Sequence, residues 1–484
     1  MRAVTCLFVA ALVLAMSVVS ADPVTSWPGY SGTLYSKTDA GYITVDAAHD
    51  RRIFYIFVES MNSPSTDPLV IWLNGGPGCS GLFGFFTEHG PFNMNFTAGG
   101  HGLTFNPYTW ANVANIIYIE SPAGVGFSSS NVTSDYNTGD KRTALDSYNF
   151  VQGFLAKFPQ FRQNDFWVAG ESDGGHYVPE LVYEIQNQNR NQPSSLKINL
   201  KGLMAGNPWT DPSREAFGVV ENWWNRAIIS EHYYDQIKNH CTYEDITFWI
   251  IYNVSVGGMT KSRDANSILR ERLHSLGYDK AYVKYTGHAF TEDKHICFNA
   301  LHETSQVEFG GVDILGVYLD VCNNGTVGNI PDQPNACAVN QMTTYLNLPE
   351  VQAALHVTAP MAYPEWEPCS PVVNYNFTDT IHSVLYIYEE LMNTDIKILV
   401  FSGDQDAIVP FTGTRKWLKA LNRSIVNDVH QWFSDTNGEQ VGGWAVQYDR
   451  LTFTTVRDAG HMVAFAEPQR ALKMFRDFLK NGKL

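Results

Sequence analysis

The pentapeptide Gly170-Glu171-Ser172-Asp173-Gly174 directly follows the apolar run 166–169 and precedes a stretch expected to be helical. A strand that enters a helix through Gly-x-Ser-x-Gly has little steric freedom. The turn is so tight that the neighbours of the serine must be small. It lifts the hydroxyl above the sheet and aims backbone N–H groups at the same point. The five-residue pattern recurs by chance in long chains, and the strand before it is what gives it weight.

The rest of the chain repeats the same grammar. Residues 42–45 and 53–58 are β-branched and aromatic and are separated by a polar turn, as strands are. Residues 69–73 form a short apolar run that ends in Gly75-Gly76-Pro77-Gly78, and residues 116–119 form another. Asp140 is placed to cap a helix in which Leu145, Tyr148, Val151, Phe154, Leu155 and Phe158 recur at helical spacing. Further strands are expected at 201–205, 396–402 and 452–456. A last helix is expected from Pro468, carrying Leu472, Phe475 and Leu479. Buried strands alternating with helices imply an α/β fold, with a mostly parallel central sheet covered by helices on both faces. The texture changes between 207 and 345, where Trp223, Trp224, long polar helical stretches and four cysteines appear. This segment is read as a largely helical cap insertion, which divides the core into residues 22–206 and 346–484.

Composition narrows the setting. With 484 residues, 44% hydrophobic and 17% charged, the chain has ample material for a core. A formal net charge of −16 argues against nucleic acid, whose phosphates would be repelled. Residues 1–21 read as a signal peptide: Arg2, an apolar run over 6–19, then Val19-Ser20-Ala21 with small residues at the cleavage positions. No later run is long enough to suggest a stable membrane anchor. Removing Cys6 with the leader leaves Cys79, Cys241, Cys297, Cys322, Cys337 and Cys369, an even set that an oxidising compartment would pair. Six N-x-S/T sequons, at Asn95, Asn131, Asn253, Asn324, Asn376 and Asn422, agree with passage through the secretory pathway.

A serine hydroxyl needs a base to become a nucleophile. In strand–turn–helix sites of this kind the partners follow in the order serine, acid, histidine. Gly403-Asp404-Gln405-Asp406 lies just past the expected strand 396–402, and His461 lies just past 452–456 within Ala459-Gly460-His461-Met462. Both are strand-end loops, where a parallel sheet places its site. Any one of the 14 histidines is ordinarily a surface or core side chain. His461 stands apart by its small neighbours and its place in the order. Position alone does not choose between Asp404 and Asp406. No cluster has metal-ligand spacing, and a serine mechanism needs neither metal nor cofactor.

With these residues in view, the chain resembles the serine carboxypeptidase family over nearly its whole mature length. The motifs are Trp72-Leu73-Asn74-Gly75-Gly76-Pro77-Gly78-Cys79-Ser80, Asn106-Pro107-Tyr108-Thr109-Trp110, Glu120-Ser121-Pro122-Ala123-Gly124-Val125-Gly126-Phe127-Ser128, Gly170-Glu171-Ser172 and Gly460-His461-Met462. The resemblance implies an α/β-hydrolase fold and hydrolysis of peptides from the C-terminus through an acyl-enzyme. It selects Asp406 as the partner of His461 and Ser172. It implies an oxyanion hole from the N–H groups of Gly76 and Asp173, and a grip on the substrate carboxylate by Asn74, Gly75, Glu88 and Glu171. Two adjacent carboxyls cannot both ionise cheaply, so that pair should share a proton and bind peptides best at acid pH.

The resemblance also pairs Cys79 with Cys369 of Trp366-Glu367-Pro368-Cys369-Ser370. The other four cysteines allow three pairings, and likeness to lysosomal members favours Cys241–Cys297 with Cys322–Cys337. One departure stands out, because most relatives have Tyr where this chain has Asp173. A carboxylate lining the pocket for the residue before the scissile bond should favour Lys or Arg there. The expected partners are peptide and protein C-termini, and a homodimer is compatible with the family. The destination is a lysosome- or vacuole-type compartment or the exterior. Two rivals remain. One is acyl transfer to alcohols by the same triad. The other is a protective or scaffolding role beside other hydrolases.

Overall fold

The computed structural model describes residues 22–95, 102–251, 289–304, 311–322, 334–435 and 437–484. The expected signal peptide and the sequons Asn253 and Asn324 lie outside them. The hairpin β1 (Thr38–Asp46) and β2 (Arg51–Val58) opens the sheet, and β3 (Leu69–Leu73) follows. A small ribbon pairs β4 (Phe92–Met94) with β5 (Leu103–Phe105) before the chain returns in β6 (Asn115–Ile119). Next come the two-residue β7 (Asn137–Thr138), α1 (Asp140–Lys157), β8 (Phe166–Glu171), α2 (Gly174–Asn191) and β9 (Leu200–Gly206). After α3 (Pro212–Asn225) and the helices of the insertion, β10 (Asn374–Tyr375) pairs with β7. The main sheet then resumes with β11 (Lys397–Gly403), β12 (Ile425–Phe433), β13 (Val441–Tyr448) and β14 (Leu451–Val456).

The ten-stranded sheet runs β1-β2-β6-β3-β8-β9-β11-β14-β13-β12. Its middle, from β6 to β14, is parallel, and both ends are antiparallel. The central strands Leu-Val-Ile-Trp-Leu, Asn-Ile-Ile-Tyr-Ile and Phe-Trp-Val-Ala-Gly-Glu are buried at every position, as strands covered on both faces must be. Alternate residues separate cleanly. Leu69, Ile71 and Leu73 face one core with α1 and α2, while Val70 and Trp72 face the other with α3 and the last helix, Pro468–Asn481. The helical expectation for 207–345 meets helices Glu231–His240, Tyr243–Trp249, Glu292–Glu303 and Ala338–Leu346.

Local details depart from the sequence reading. Asp140 begins α1 instead of capping it; Gly139 holds the cap position, and Asp379 accepts from the Asp140 N–H at 3.1 Å. Leu145 faces water, 44% exposed, and the buried face of α1 runs instead through Thr143, Ala144 and Ser147. The last helix buries Ala471, Met474, Phe475 and Phe478, with Leu472 and Leu479 on the flank. The edge hairpin β12–β13 was not anticipated, since β12 carries Ile425, Val426 and Val429 exposed instead of a buried run.

Three disulfides join Cys79 to Cys369, Cys241 to Cys297 and Cys322 to Cys337. The first closes a separation of 290 residues. Beside it the chain pairs as a short antiparallel bridge: Ser80 N–H donates to Pro368 O and Ser370 N–H to Gly78 O, both at 2.9 Å. Buried Glu120 fastens the same corner by accepting from Ser80 Oγ at 2.6 Å, Trp366 Nε1 at 2.7 Å and Phe127 N–H at 2.6 Å. Burial holds its carboxyl up at about 7 despite these donors.

Candidate active site

At the C-terminal end of β8 the chain turns through Ser172 with φ of 62°, the left-handed region that a serine enters only under constraint. Three hydrogen bonds impose it. Ser172 N–H donates to Gly206 O at 3.0 Å, and Ser172 O accepts from Gly175 N–H and Trp209 N–H, each at 2.8 Å. The glycine loop after β3 passes so close that a Cβ on Gly75 would lie 2.3 Å from Asp173 N and 2.7 Å from Ser172 Cβ. Only glycine permits that approach. The N–H groups of Gly76 and Asp173 donate to no group among the described residues. Ser172 Oγ likewise makes no hydrogen bond among them.

The loops after β11 and β14 bring the acid and the base together. His461 Nδ1 lies 2.7 Å from Asp406 Oδ2, with both side chains buried. Asp406 is held from the other side by Asn207 Nδ2 at 2.7 Å, Ile408 N–H at 2.8 Å and Val409 N–H at 3.2 Å. Asp404 is turned away: its carboxyl accepts from Asp458 N–H at 3.0 Å, and its carbonyl accepts from Arg226. Geometry therefore separates two aspartates that position left equal. Asn207 was not read as a site residue. It directly follows β9 with φ of 39°, and its Oδ1 accepts from Gly403 N–H at 3.1 Å, so one side chain spans two strand ends.

Directly before Ser172 sits a pair of buried carboxyls. Trp72 Nε1 donates to Asn74 Oδ1 at 2.6 Å, and Asn74 Nδ2 donates to Glu171 Oε1 at 2.9 Å. Glu88, at the end of the π-turn Gly84–Glu88, hydrogen-bonds to Glu171 through its side chain. Burial raises both carboxyls above the ordinary range. Glu171 is raised further because the Glu88 charge adds to it. Such a pair titrates as a unit and keeps a shared proton well above pH 4.5. Glu88 Oε1 is buried and receives no N–H or hydroxyl donor among the described residues. The pair also senses the neighbouring loops, Glu88 through His461 and Glu171 through Asp406.

Asp173 does not lie open. The residue is 5% exposed, and burial pushes its carboxyl up to about 7 against the favourable charge of His176 and a hydrogen bond from Tyr177. Tyr177 OH also accepts from Gly78 N–H at 3.1 Å, so it links the glycine loop to the elbow. Beneath them His176 Nδ1 lies 3.0 Å from Asp140 Oδ2, and Tyr375 OH donates to Asp140 Oδ1 at 2.5 Å. A carboxyl sunk in this network is not the exposed anion that a preference for Lys or Arg would need.

The segment 207–345, expected to be an insertion, also reaches the site through residues 314–317, which the sequence reading missed. His461 N–H donates to Leu315 O at 2.5 Å, Ala407 N–H to Ile314 O at 3.0 Å and Val317 N–H to Gln405 O at 3.2 Å. One strip of backbone thus braces the acid loop and the histidine loop together. Asp313, at its start, is raised to about 6 by burial and senses both Asp406 and His461. Away from the site, the described sequon residues Asn95, Asn131, Asn376 and Asn422 are all exposed.

Comparison with known proteins agrees with this picture. The family model described as serine carboxypeptidase matches residues 28–481. Serine carboxypeptidase-like 25 of Arabidopsis thaliana is 36% identical over 489 residues, covering 96% of this chain and 92% of its own. Serine carboxypeptidase 24 of the same plant is 35% identical over 483 residues, covering 96% and 93%. Among solved structures, a prohormone-processing carboxypeptidase from Saccharomyces cerevisiae superposes with a TM-score of 0.67. It is 21% identical and covers 94% of each chain, a likeness of fold.

Proposed function

This chain belongs to the serine carboxypeptidase family, and on that premise we propose that it removes residues singly from the C-termini of peptides through an acyl-enzyme on Ser172, best at acid pH. The observation that carries the reading is the proton-sharing pair Glu88–Glu171, set beside Asn74 and immediately before the elbow serine. An endopeptidase has no use for buried carboxyls beside its nucleophile, whereas an exopeptidase must hold a free α-carboxylate. The protonated pair donates a hydrogen bond to that carboxylate, and the doubly ionised pair repels it.

In the proposed cycle His461 takes the Ser172 hydroxyl proton while Asp406 holds its Nδ1–H. The bond from Oγ to the imidazole forms as the substrate seats, since apo geometry at such sites is often loose. Oγ attacks the carbonyl of the last peptide bond. The unpaired N–H groups of Gly76 and Asp173 receive the oxyanion, each worth about 3 kcal/mol in the transition state. His461 then protonates the departing amine, and water, deprotonated by the same imidazole, releases the acyl group. We further assign residues 1–21 as a cleaved leader, residues 207–345 as the cap insertion and the secretory pathway as the route.

The test measures KM for a peptide and for its C-terminal amide from pH 4 to 8. The peptide's KM should rise with pH as the pair loses its shared proton, with Glu88 titrating near 7, while the amide's should not. Equal pH dependence for both would reject the carboxylate grip. A fluorophosphonate probe should label Ser172. Release of free amino acids, with no ester formed in the presence of an alcohol, would separate hydrolysis from acyl transfer.

A further inference from the structure

Lys157, in the last turn of α1, is buried with its side chain 2% exposed. A buried ammonium must be matched by charge and hydrogen bonds. Its Nζ lies 3.0 Å from Asp22 Oδ2, 3.6 Å from Asp39 Oδ1 and 2.9 Å from Tyr55 OH. Tyr55 OH in turn donates to Asp39 Oδ1. Two carboxylates therefore share one cation; Asp22 is 47% exposed and solvated, so the unmatched charge falls on buried Asp39. The deficit has a location. Asp39 is 5% exposed, and its second oxygen, Oδ2, is buried with no partner.

The nitrogen of residue 22 lies beside the Asp39 carboxyl. Pro23 forms an antiparallel bridge with Asp39, Ala40 N–H donates to Asp22 O at 3.2 Å, and Val24 N–H donates to Thr38 O at 2.9 Å. The Asp22 N–H is among the groups that favour the charged form of Asp39. In an uncut chain this nitrogen is an amide, with one N–H fixed in the peptide plane. It leaves Asp39 Oδ2 unsatisfied.

We propose that hydrolysis of the Ala21–Asp22 bond supplies the missing cation, and that Asp39, held through its other oxygen by Tyr55 and Lys157, is a built receptor for the α-ammonium of Asp22. A secretory leader peptidase adds water across the bond. The Ala21 carbonyl leaves as the carboxylate of the leader, and the Asp22 nitrogen becomes an ammonium. The ammonium has three N–H donors on a rotatable bond, so it reaches the oxygen that the amide misses. The charges then balance, with two carboxylates against Lys157 and the amino terminus. The seating extends inward, because buried Trp27 follows and stacks on Phe85 at 5.3 Å, within the turn that presents Glu88. Processing one residue early or late would misplace the cation.

The experiment secretes the full 484-residue chain from a eukaryotic host and determines its amino terminus by mass spectrometry. Asp22 is expected. A second form carries one alanine inserted between Ala21 and Asp22, so that cleavage leaves an extra residue. Thermal unfolding is then measured for the parent, the extended form, Asp39→Asn and the combination. Each single change should lower Tm by about 2–5 °C, and the combination should cost no more than the larger one. A terminus elsewhere, a silent extension, or effects that simply add would overturn the proposal. If Asp39→Asn does not accumulate, the titration of the unmodified, isotopically labelled Asp22 α-amine of the parent, followed by NMR, decides instead. A value above the ordinary range of about 7.7–8.0 supports the receptor, and an ordinary value overturns it.

Discussion

At the scale of the residue, the site depends on polar atoms that are either left free or held by one well-placed partner. The free ones among the described residues are the N–H groups of Gly76 and Asp173. They fit the proposed oxyanion site, because buried polar groups left unpaired are costly and rarely persist without use. Tyr177 is the held kind. Its hydroxyl accepts from Gly78 N–H and bonds to Asp173, so it sets the distance between the two segments that carry the proposed oxyanion donors. Tyr177→Phe removes that link without changing the shape of the ring. We expect kcat to fall by about 10- to 100-fold with KM nearly unchanged, because displacement of a donor harms the transition state more than the bound substrate. Stopped-flow acylation of an ester substrate would measure it. A loss confined to KM, or an unaltered rate, would remove Tyr177 from the positioning of the site.

At the scale of the element, strand ends and a disulfide do the aligning. Ser172, Asp406 and His461 follow β8, β11 and β14, which lie close together in the sheet though far apart in the chain. Backbone from 314–317 binds the last two loops to each other. The glycine loop follows β3, the neighbour of β8, and is anchored further by the bridge from Cys79 to Cys369 with Glu120 behind it. Replacing both cysteines by serine should cost about 2–5 kcal/mol of stability, since the closed loop is long. Activity at a temperature where the variant is fully folded should fall as well, as the Gly76 N–H loses its fixed position. Urea unfolding and initial rates on the same preparation would report the two effects separately. Unchanged rates in the folded variant would show that the bridge serves stability alone.

At the scale of the whole molecule, the buried carboxyls act together on stability. Burial raises Glu120 and Asp173 to about 7 and Glu215 to about 8, with the Glu88–Glu171 pair raised too. Each has a folded value above its unfolded one. Its contribution is complete below the unfolded value near 4 and is lost as pH climbs through the folded value. His176, raised to about 9 chiefly by Asp140 against its own burial, loses stability in the same direction between 6.5 and 9. His89, lowered by burial, opposes them. Each proton kept by the native chain but released by the unfolded one costs about 1.4 kcal/mol per pH unit. Tm should therefore fall steadily from pH 5 to pH 8, and a flat or rising profile by calorimetry would contradict the burial of these groups. Several features were open to reading along the chain. The fully buried strands, the glycine-bounded turn at Ser172 and the order serine, aspartate, histidine all depend on sterics and periodicity within a few neighbouring residues. Likeness to a family added Asp406 and the cysteine pairs, as its motifs carry information that single spacings lack. Tertiary structure alone decided the rest: the grip of Asn207 on Asp406, the Gly78–Tyr177 link, the strip 314–317 under His461 and the inward turn of Asp173. These are meetings between loops brought together by a sheet whose order is not the order of the chain. Many polar residues would serve equally in any one loop, so no local pattern announces which pair will meet.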